Sequence, residues 1–253
     1  MEKASKQVAW VTGAGKGIGR ALAKRLSEEG WIVAASARTK DDLVTLQDEA
    51  TPDRVHAFPL DITDATATEE TIEKIETELG PLSLVVLNAG TYLPMSADTF
   101  DLKKFRLLVE TNLIGTANGM AYVMPKFIDR KSGHIAVVGS LAGYRGLPTS
   151  AAYGATKAGL INMCEALRPE LEHHGVRLTL INPGFVETPL TDKNDFPMPF
   201  LIPVDEAAER IARGLNGSAF EIAFPGRFAF LMKVLRIFPD WLFFKLTRRM
   251  MNE

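Results

Sequence analysis

Cysteine is almost absent. Cys164 stands alone in 253 residues, so the chain can form no internal disulfide and can supply no cysteine-cluster metal site. Histidine is scarce too. His173 and His174 read as a solvated helix end, and His56 and His134 have no ligand partners at metal spacing, so no metal is expected. An excess of one charge is also missing. The 29 basic and 31 acidic residues leave a net charge of −2, which excludes a global basic field for nucleic acid. Long hydrophobic runs are lacking. The longest stretch without a formal charge, residues 79–97, holds Gly80, Pro81, Asn88, Gly90 and Pro94, so it reads as strand plus loop and not as a membrane span. No signal peptide is legible where Glu2, Lys3 and Lys6 precede the first apolar run. These absences lead us to expect a cytoplasmic chain in a reducing compartment.

What is present is ordinary globular composition, 46% hydrophobic and 24% charged. Short β-rich apolar runs fall at residues 7–12, 31–36, 55–60, 82–88, 134–140, 176–182 and 220–224. They are continuously apolar rather than alternating, as strands buried on both faces are. Between them, residues 19–29, 41–50, 64–79, 103–130 and 151–173 are long enough for crossover helices. This alternation predicts an α/β fold: a three-layer, Rossmann-like, doubly wound parallel sheet of about seven strands. No repeat and no Pro/Gly/Ser linker divides the chain, so residues 1–253 form one domain. Two stretches break the rhythm. Residues 188–203 carry Pro189, Pro197, Pro199 and Pro203 and read as a loop or broken helix, part of a substrate-loop region over 188–215. Residues 227–253 form an apolar helical tail.

The first apolar run leads directly into Thr12-Gly13-Ala14-Gly15-Lys16-Gly17-Ile18-Gly19, which opens a helix. Glycines there let the backbone turn tightly and approach a pyrophosphate at a helix N-terminus. A structural turn uses the same residues, but the position between strand one and helix one favours a dinucleotide site. No Gly-Lys-Ser/Thr ending follows, which disfavours a nucleoside-triphosphate loop. Further along, Tyr153 and Lys157 share one helix face, one turn apart. A cation about 4 Å away at an effective dielectric of about 20 is worth roughly 4 kcal/mol. Lys157 is therefore expected to lower the Tyr153 pKa by up to about 3 units before desolvation opposes it, towards neutral pH, where general acid–base catalysis works best.

The glycine spacing resembles the fingerprint of the short-chain dehydrogenase/reductase family, and other positions match that family's pattern in order. Asn88-Ala89-Gly90 ends the fourth run, Asn112 lies in the following helix, and Ser140 ends the fifth run. Tyr153 and Lys157 come next, then Pro183-Gly184 and Thr188. The resemblance covers residues 8–224. Leu87 departs from it, where the family often has a second Asn.

The resemblance implies an oxidoreductase that interconverts a carbonyl and a secondary alcohol, with Asn112, Ser140, Tyr153 and Lys157 catalytic. Tyr153 is the general acid/base, Ser140 holds the substrate oxygen, and Asn112 holds a water in a relay to Lys157, although a satisfied core amide is an equal reading of Asn112. The implied nicotinamide-cofactor contacts are Gly13, Gly15, Lys16, Gly17, Ile18 and Gly19 in the turn, and Arg38 after the second strand. Asp61 and Ile62 touch the adenine, and Asn88, Ala89 and Gly90 follow strand four. Tyr153, Lys157, Pro183, Gly184, Val186 and Thr188 complete the set. Where an NAD enzyme places an acid, this chain has Ala37 and then Arg38, with Lys16 nearby, so NADP(H) is expected over NAD(H). The resemblance also implies a homodimer or homotetramer, joined partly through the small-residue helix near Ala151. The rivals are a non-catalytic NADP(H)-binding regulator and a peripheral membrane adaptor.

The tail keeps three readings open. Of residues 228–251, 16 of 24 are apolar and the local charge is +4. Pro239 splits them into two helices too short to span a bilayer. They pack as an arm on the domain or a sister subunit, roof the substrate pocket, or lie in a membrane interface. With the 196–202 loop they favour an apolar substrate.

Overall fold

The computed structural model describes residues 7–193 and 198–249. Seven strands form one parallel sheet: β1 (Val8–Thr12), β2 (Ile32–Ser36), β3 (Val55–Ala57), β4 (Leu82–Leu87), β5 (His134–Val138), β6 (Arg177–Pro183) and β7 (Glu221–Phe224). Their order is β3-β2-β1-β4-β5-β6-β7. Strand order therefore reverses between β1 and β4, where Val11 pairs with Ala35 on one side and Val86 on the other. Every residue of β1, β2 and β5 is buried, which is why those runs show no alternation. The third run is shorter than its sequence predicts. Past Ala57 the chain leaves the ladder, yet Phe58 and Leu60 still donate backbone hydrogen bonds to Ala35 and Ala37.

Nine helices are described: α1 (Gly17–Glu28), α2 (Lys40–Glu49), α3 (Ala65–Leu79), α4 (Leu102–Val109), α5 (Gly115–Arg130), α6 (Ala151–His173), α7 (Val204–Leu215), α8 (Gly226–Ile237) and α9 (Asp240–Arg249). One apolar layer, including Leu22, Leu26, Leu43, Ile211 and Leu215, joins α1, α2 and α7 to one sheet face. The other, including Ile72, Met120, Phe127, Leu160, Cys164 and Met232, joins α3, α5, α6 and α8 to the opposite face. Burial puts the Cys164 thiol pKa up at about 12, so it is an inert core group.

Two expectations change here. The predicted helix over 103–130 is two α-helices joined by one wide π turn, Glu110–Ile114, which holds Asn112. Residues 204–215 are not part of a loop: α7 buries Ala207, Ala208, Ile211, Ala212 and Leu215. In the 196–202 loop, Phe196 and Pro197 lie outside the described residues, as do Met250 and Met251 of the tail.

At the amino ends of β5 and β6, His134 is locked into the core. Its Nδ1 accepts from the Arg177 guanidinium at 2.6 Å, so Nε2 carries the proton and donates to Thr179 Oγ1 at 2.9 Å. Burial, then the charges of Arg177 and Arg168, bring its pKa down to about 3. The unfolded ring binds a proton near pH 6.5 and the folded ring does not, so stability is lost as pH falls from about 6.5 towards 3. The expected loss between pH 7 and pH 5 is about 2 kcal/mol. Urea unfolding at the two pH values should show it, and His134→Leu should flatten this part of the profile. An unchanged difference in that variant would assign it elsewhere.

Candidate active site

A strand-order reversal leaves a crevice outside the carboxyl ends of the strands. The turn after β1 lies there. Thr12 Oγ1 accepts from the backbone N–H of both Asn88 and Ala89 at 3.0 Å, and Asn88 Nδ2 donates to Thr12 O at 3.0 Å. These bonds clamp the β1 turn to the end of β4. Gly13 has φ +66, and a Cβ there would sit 2.8 Å from Ala89 Cα. A Cβ on Gly19 would sit 2.4 Å from Asn88 Nδ2. Both glycines are therefore required by the close approach of β1 to β4.

The turn delivers α1 with an unfilled N-terminus. Lys16 precedes it without a side-chain cap, and its first turn carries no acid. Exposed backbone N–H groups and the positive end of the helix suit an anion such as a pyrophosphate. A Cβ on Gly17 would meet the Thr188 methyl at 3.1 Å, so this cradle lies directly beneath the loop that follows β6. The residues present fit a dinucleotide.

Next to the turn is a cleft of about 110 Å³, lined among others by Ile18, Asn88, Gly90, Ser140, Tyr153, Lys157, Pro183, Gly184, Val186 and Thr188. Ten of the residues singled out in the sequence thus converge on one cavity, from the ends of β4, β5 and β6 and the first turns of α6. Ser140 caps a short 3₁₀ turn, Leu141–Gly143, by accepting from Ala142 N at 3.1 Å. Its hydroxyl lines the same cleft as the Tyr153 phenol and lowers that group's pKa. The ring of Tyr92 packs edge-on against Tyr153, with centroids 5.2 Å apart.

The expected pKa relation between Tyr153 and Lys157 is not what the structure holds. Lys157 is buried and its Nζ donates to Val138 O at 2.8 Å, while standing 5.7 Å from the centre of the Tyr153 ring. Burial dominates both groups. It pushes the Tyr153 phenol up to about 12 against a smaller lowering by Ser140, and it brings the Lys157 ammonium down to about 8. At 5.7 Å from the ring, the Coulombic effect of Lys157 is outweighed by desolvation, which opposes charge on either group. Holding Lys157 charged at neutral pH costs about 3 kcal/mol, the size of strain that functional sites carry.

Of the two readings of Asn112, the geometry matches the satisfied core amide. Its Oδ1 accepts from Thr91 N at 2.7 Å, and its Nδ2 donates to Thr91 O at 2.9 Å and Thr156 Oγ1 at 3.1 Å. Both amide protons are taken by the protein, so the side chain ties the loop after β4 to α6 and has none left for a water. The wide turn that presents it sits beside a cavity, where such turns often occur.

Other predicted positions lie outside the cleft. Ala89 is clamped by Thr12, and Gly15 lies against Ala37, whose Cβ is 3.2 Å from where a Gly15 Cβ would be. Lys16 and Arg38 are exposed, and Lys16 Nζ is 3.5 Å from Asp42 Oδ2. Asp61 accepts from Thr63, and the Ile62 carbonyl is held by Asn118 Nδ2 at 3.0 Å. Sequence reasoning missed Leu190 and Thr191 in the lining. Thr191 Oγ1 accepts from Thr188 N at 3.0 Å and so fixes the cleft-lining threonine. It missed Asp42 as well. No spacing signal marks these residues, because each is placed by the fold.

A nucleotide-type crevice with a Ser, Tyr and Lys on its wall defines a class, and comparison with known proteins gives the family. The short chain dehydrogenase family profile matches residues 7–197. An uncharacterized oxidoreductase of Myxococcus xanthus (strain DK1622) is 40% identical over 252 residues, covering 99% of this chain and all of that protein. One from Staphylococcus epidermidis is 32% identical over 78% of this chain and 85% of its own length. A short-chain dehydrogenase from Streptomyces avermitilis superposes with a TM-score of 0.83 at 26% identity, over 96% of each chain. A variant actinorhodin polyketide ketoreductase with NADPH gives 0.81 at 26% identity, over 90% of this chain and 99% of its own. The chain belongs to the short chain dehydrogenase family and is one of its oxidoreductases.

Proposed function

We propose that the protein is an NADP(H)-dependent reductase of a carbonyl to a secondary alcohol, and that it takes an apolar substrate. The observation that carries this reading is the meeting of Ser140, Tyr153 and Lys157 on one cleft wall beside the α1 N-terminus. The dinucleotide, when bound, supplies the hydride. Ser140 Oγ holds the substrate oxygen next to the Tyr153 hydroxyl, which lines the same cleft. Tyr153 gives its phenolic proton to that oxygen as charge develops there. Lys157 stands behind the ring and favours the phenolate that remains. Thr188, fixed by Thr191, closes the cleft over Gly17.

The apolar substrate is supported by the wall beyond Gly184. Phe185 and Phe200 each stack on Phe228, with centroids 5.6 and 5.9 Å apart, and a Cβ on Gly184 would meet Phe228 at 2.8 Å. Cofactor choice draws support from structural neighbours: ElxO is solved with NADP, and a serine dehydrogenase in complex with NADP+. Association into a dimer or tetramer is supported by exposed Phe100, Leu102 and Leu107 on and before α4, beside the small residues of α6. A cytoplasmic site suits the unpaired thiol of Cys164.

Titration with NADPH and with NADH, followed by energy transfer from tryptophan to the nicotinamide, tests the reading. NADPH should bind at least about tenfold more tightly than NADH, a difference of about 1.4 kcal/mol. A carbonyl screen with NADPH should then find turnover on apolar ketones. A chain that binds neither dinucleotide is not this enzyme.

A further inference from the structure

The tail packs on its own domain and still leaves an apolar face uncovered. Arg145 anchors it. The guanidinium donates to the carbonyls of Leu235, Arg236 and Phe238 at the end of α8, pairs with Asp240 at 2.6 Å, and lies 4.1 Å from the centre of the Phe243 ring. Phe228, Ala229, Met232 and Phe243 face inward and are buried. The outward side of α8 carries exposed Arg227, Lys233 and Arg236, and large apolar groups are exposed among them. Phe230 and Ile237, two turns apart on one face, are 70% and 80% exposed. A helix face that sets exposed Phe and Ile among cations suits the headgroup boundary of a lipid surface. On α9 the outward face carries Trp241 and Phe244, exposed by 70% and 53%, with exposed Lys245 and Arg248 between and beside them. Among the described residues no ion pair is formed by Lys245, Arg248 or Arg227, while the nearby Asp240 is neutralised by Arg145.

From this face we infer that α8 and α9 dock the protein on an anionic lipid surface, with the two helices lying in the plane of the headgroups. Trp and Phe rings seat at that depth, and Lys and Arg beside them meet lipid phosphates. Each cation near an anionic leaflet strengthens binding by about fivefold. Charge decides against a second copy as the occupant. A two-fold pair brings the same patch together with itself, so it would press one cationic face against another. The helices lie on the surface and do not cross it, since no described helix is long and apolar enough to span. The aromatic stack of Phe185, Phe228 and Phe200 runs from the cleft wall to the base of this face. Docking therefore brings the cleft close to the bilayer, where an apolar carbonyl compound would partition.

Sedimentation of the full chain with vesicles tests this. It should pellet with equimolar phosphatidylglycerol and phosphatidylcholine, and at least about tenfold less with phosphatidylcholine alone. Trp241→Ser with Phe244→Ser should weaken the anionic binding by about tenfold or more. Lys245→Glu with Arg248→Glu should weaken it comparably and remove its salt dependence. All four positions are exposed, and unchanged thermal midpoints and cofactor titrations would show that the variants fold. No pelleting with the anionic vesicles overturns the inference, as does binding that survives both variants. A lipid-free dimer lost in the Trp241/Phe244 variant would assign the face to a second copy instead. Vesicle binding needs no turnover, so a chain that pellets but reduces nothing fails the proposed function alone.

Discussion

Tyr153→Phe should abolish carbonyl reduction while leaving the fold and dinucleotide binding in place. The substitution removes one oxygen from a half-buried ring whose packing against Tyr92 is unaffected by it. Ser140 keeps its own anchor, accepting from Ala142 N at 3.1 Å. Rate is another matter. A positioned general acid contributes about 10²- to 10⁴-fold, and among the described residues no other phenol lines the cleft. With its pKa held up at about 12 by burial, the phenol is fully protonated at neutral pH, as a donor must be. The same burial makes it a reluctant donor, so proton transfer needs a nearby positive charge, and Lys157 is the buried cation behind the ring. The measurement is steady-state reduction with NADPH, alongside the fluorescence titration. A variant that retained its rate within a factor of about ten would show that the proton comes from another group.

Most of this architecture was legible before any coordinates, because the signals are periodic and local. Seven apolar runs became the seven strands of one parallel sheet, and the glycine turn fell between β1 and α1 as its spacing required. Legibility ended where tertiary context decides. Residues 204–215 looked like part of a loop because prolines precede them, but burial of Ile211 and Leu215 against α1 and the sheet makes them a core helix. The pairing of Tyr153 with Lys157 was readable from helical spacing. The direction of their pKa shifts was not, because desolvation depends on which residues from distant strands enclose them. Asn112 shows the same limit. Its position was legible, while its partners, Thr91 and Thr156, come from 21 and 44 residues away.

Removing Lys16 and Arg38 should erase the preference for NADPH. Both side chains are exposed near the end of β2, where Ala37 stands in place of an acid. The structure adds a competitor: Lys16 already lies 3.5 Å from the Asp42 carboxylate, and Asp42 is held in place as its own backbone carbonyl accepts from Arg20 at 2.7 Å. A phosphate dianion draws Lys16 more strongly than one carboxylate does, so the pair should open when a 2′-phosphate arrives. A charge-assisted hydrogen bond is worth about 1.5–3 kcal/mol, so Lys16→Ala and Arg38→Ala should each weaken NADPH binding about 10- to 150-fold. NADH affinity should change less, since it lacks the 2′-phosphate that the two cations would hold. Asp42→Asn should act in the opposite direction and tighten NADPH, because it frees Lys16 without removing it. Screening gives an independent check: for exposed charges the NADPH advantage should shrink as ionic strength rises past about 0.1 M. If the double variant still prefers NADPH, the 2′-phosphate is recognised elsewhere. If Asp42→Asn weakens NADPH, the carboxylate orients Lys16 towards the phosphate and does not compete for it.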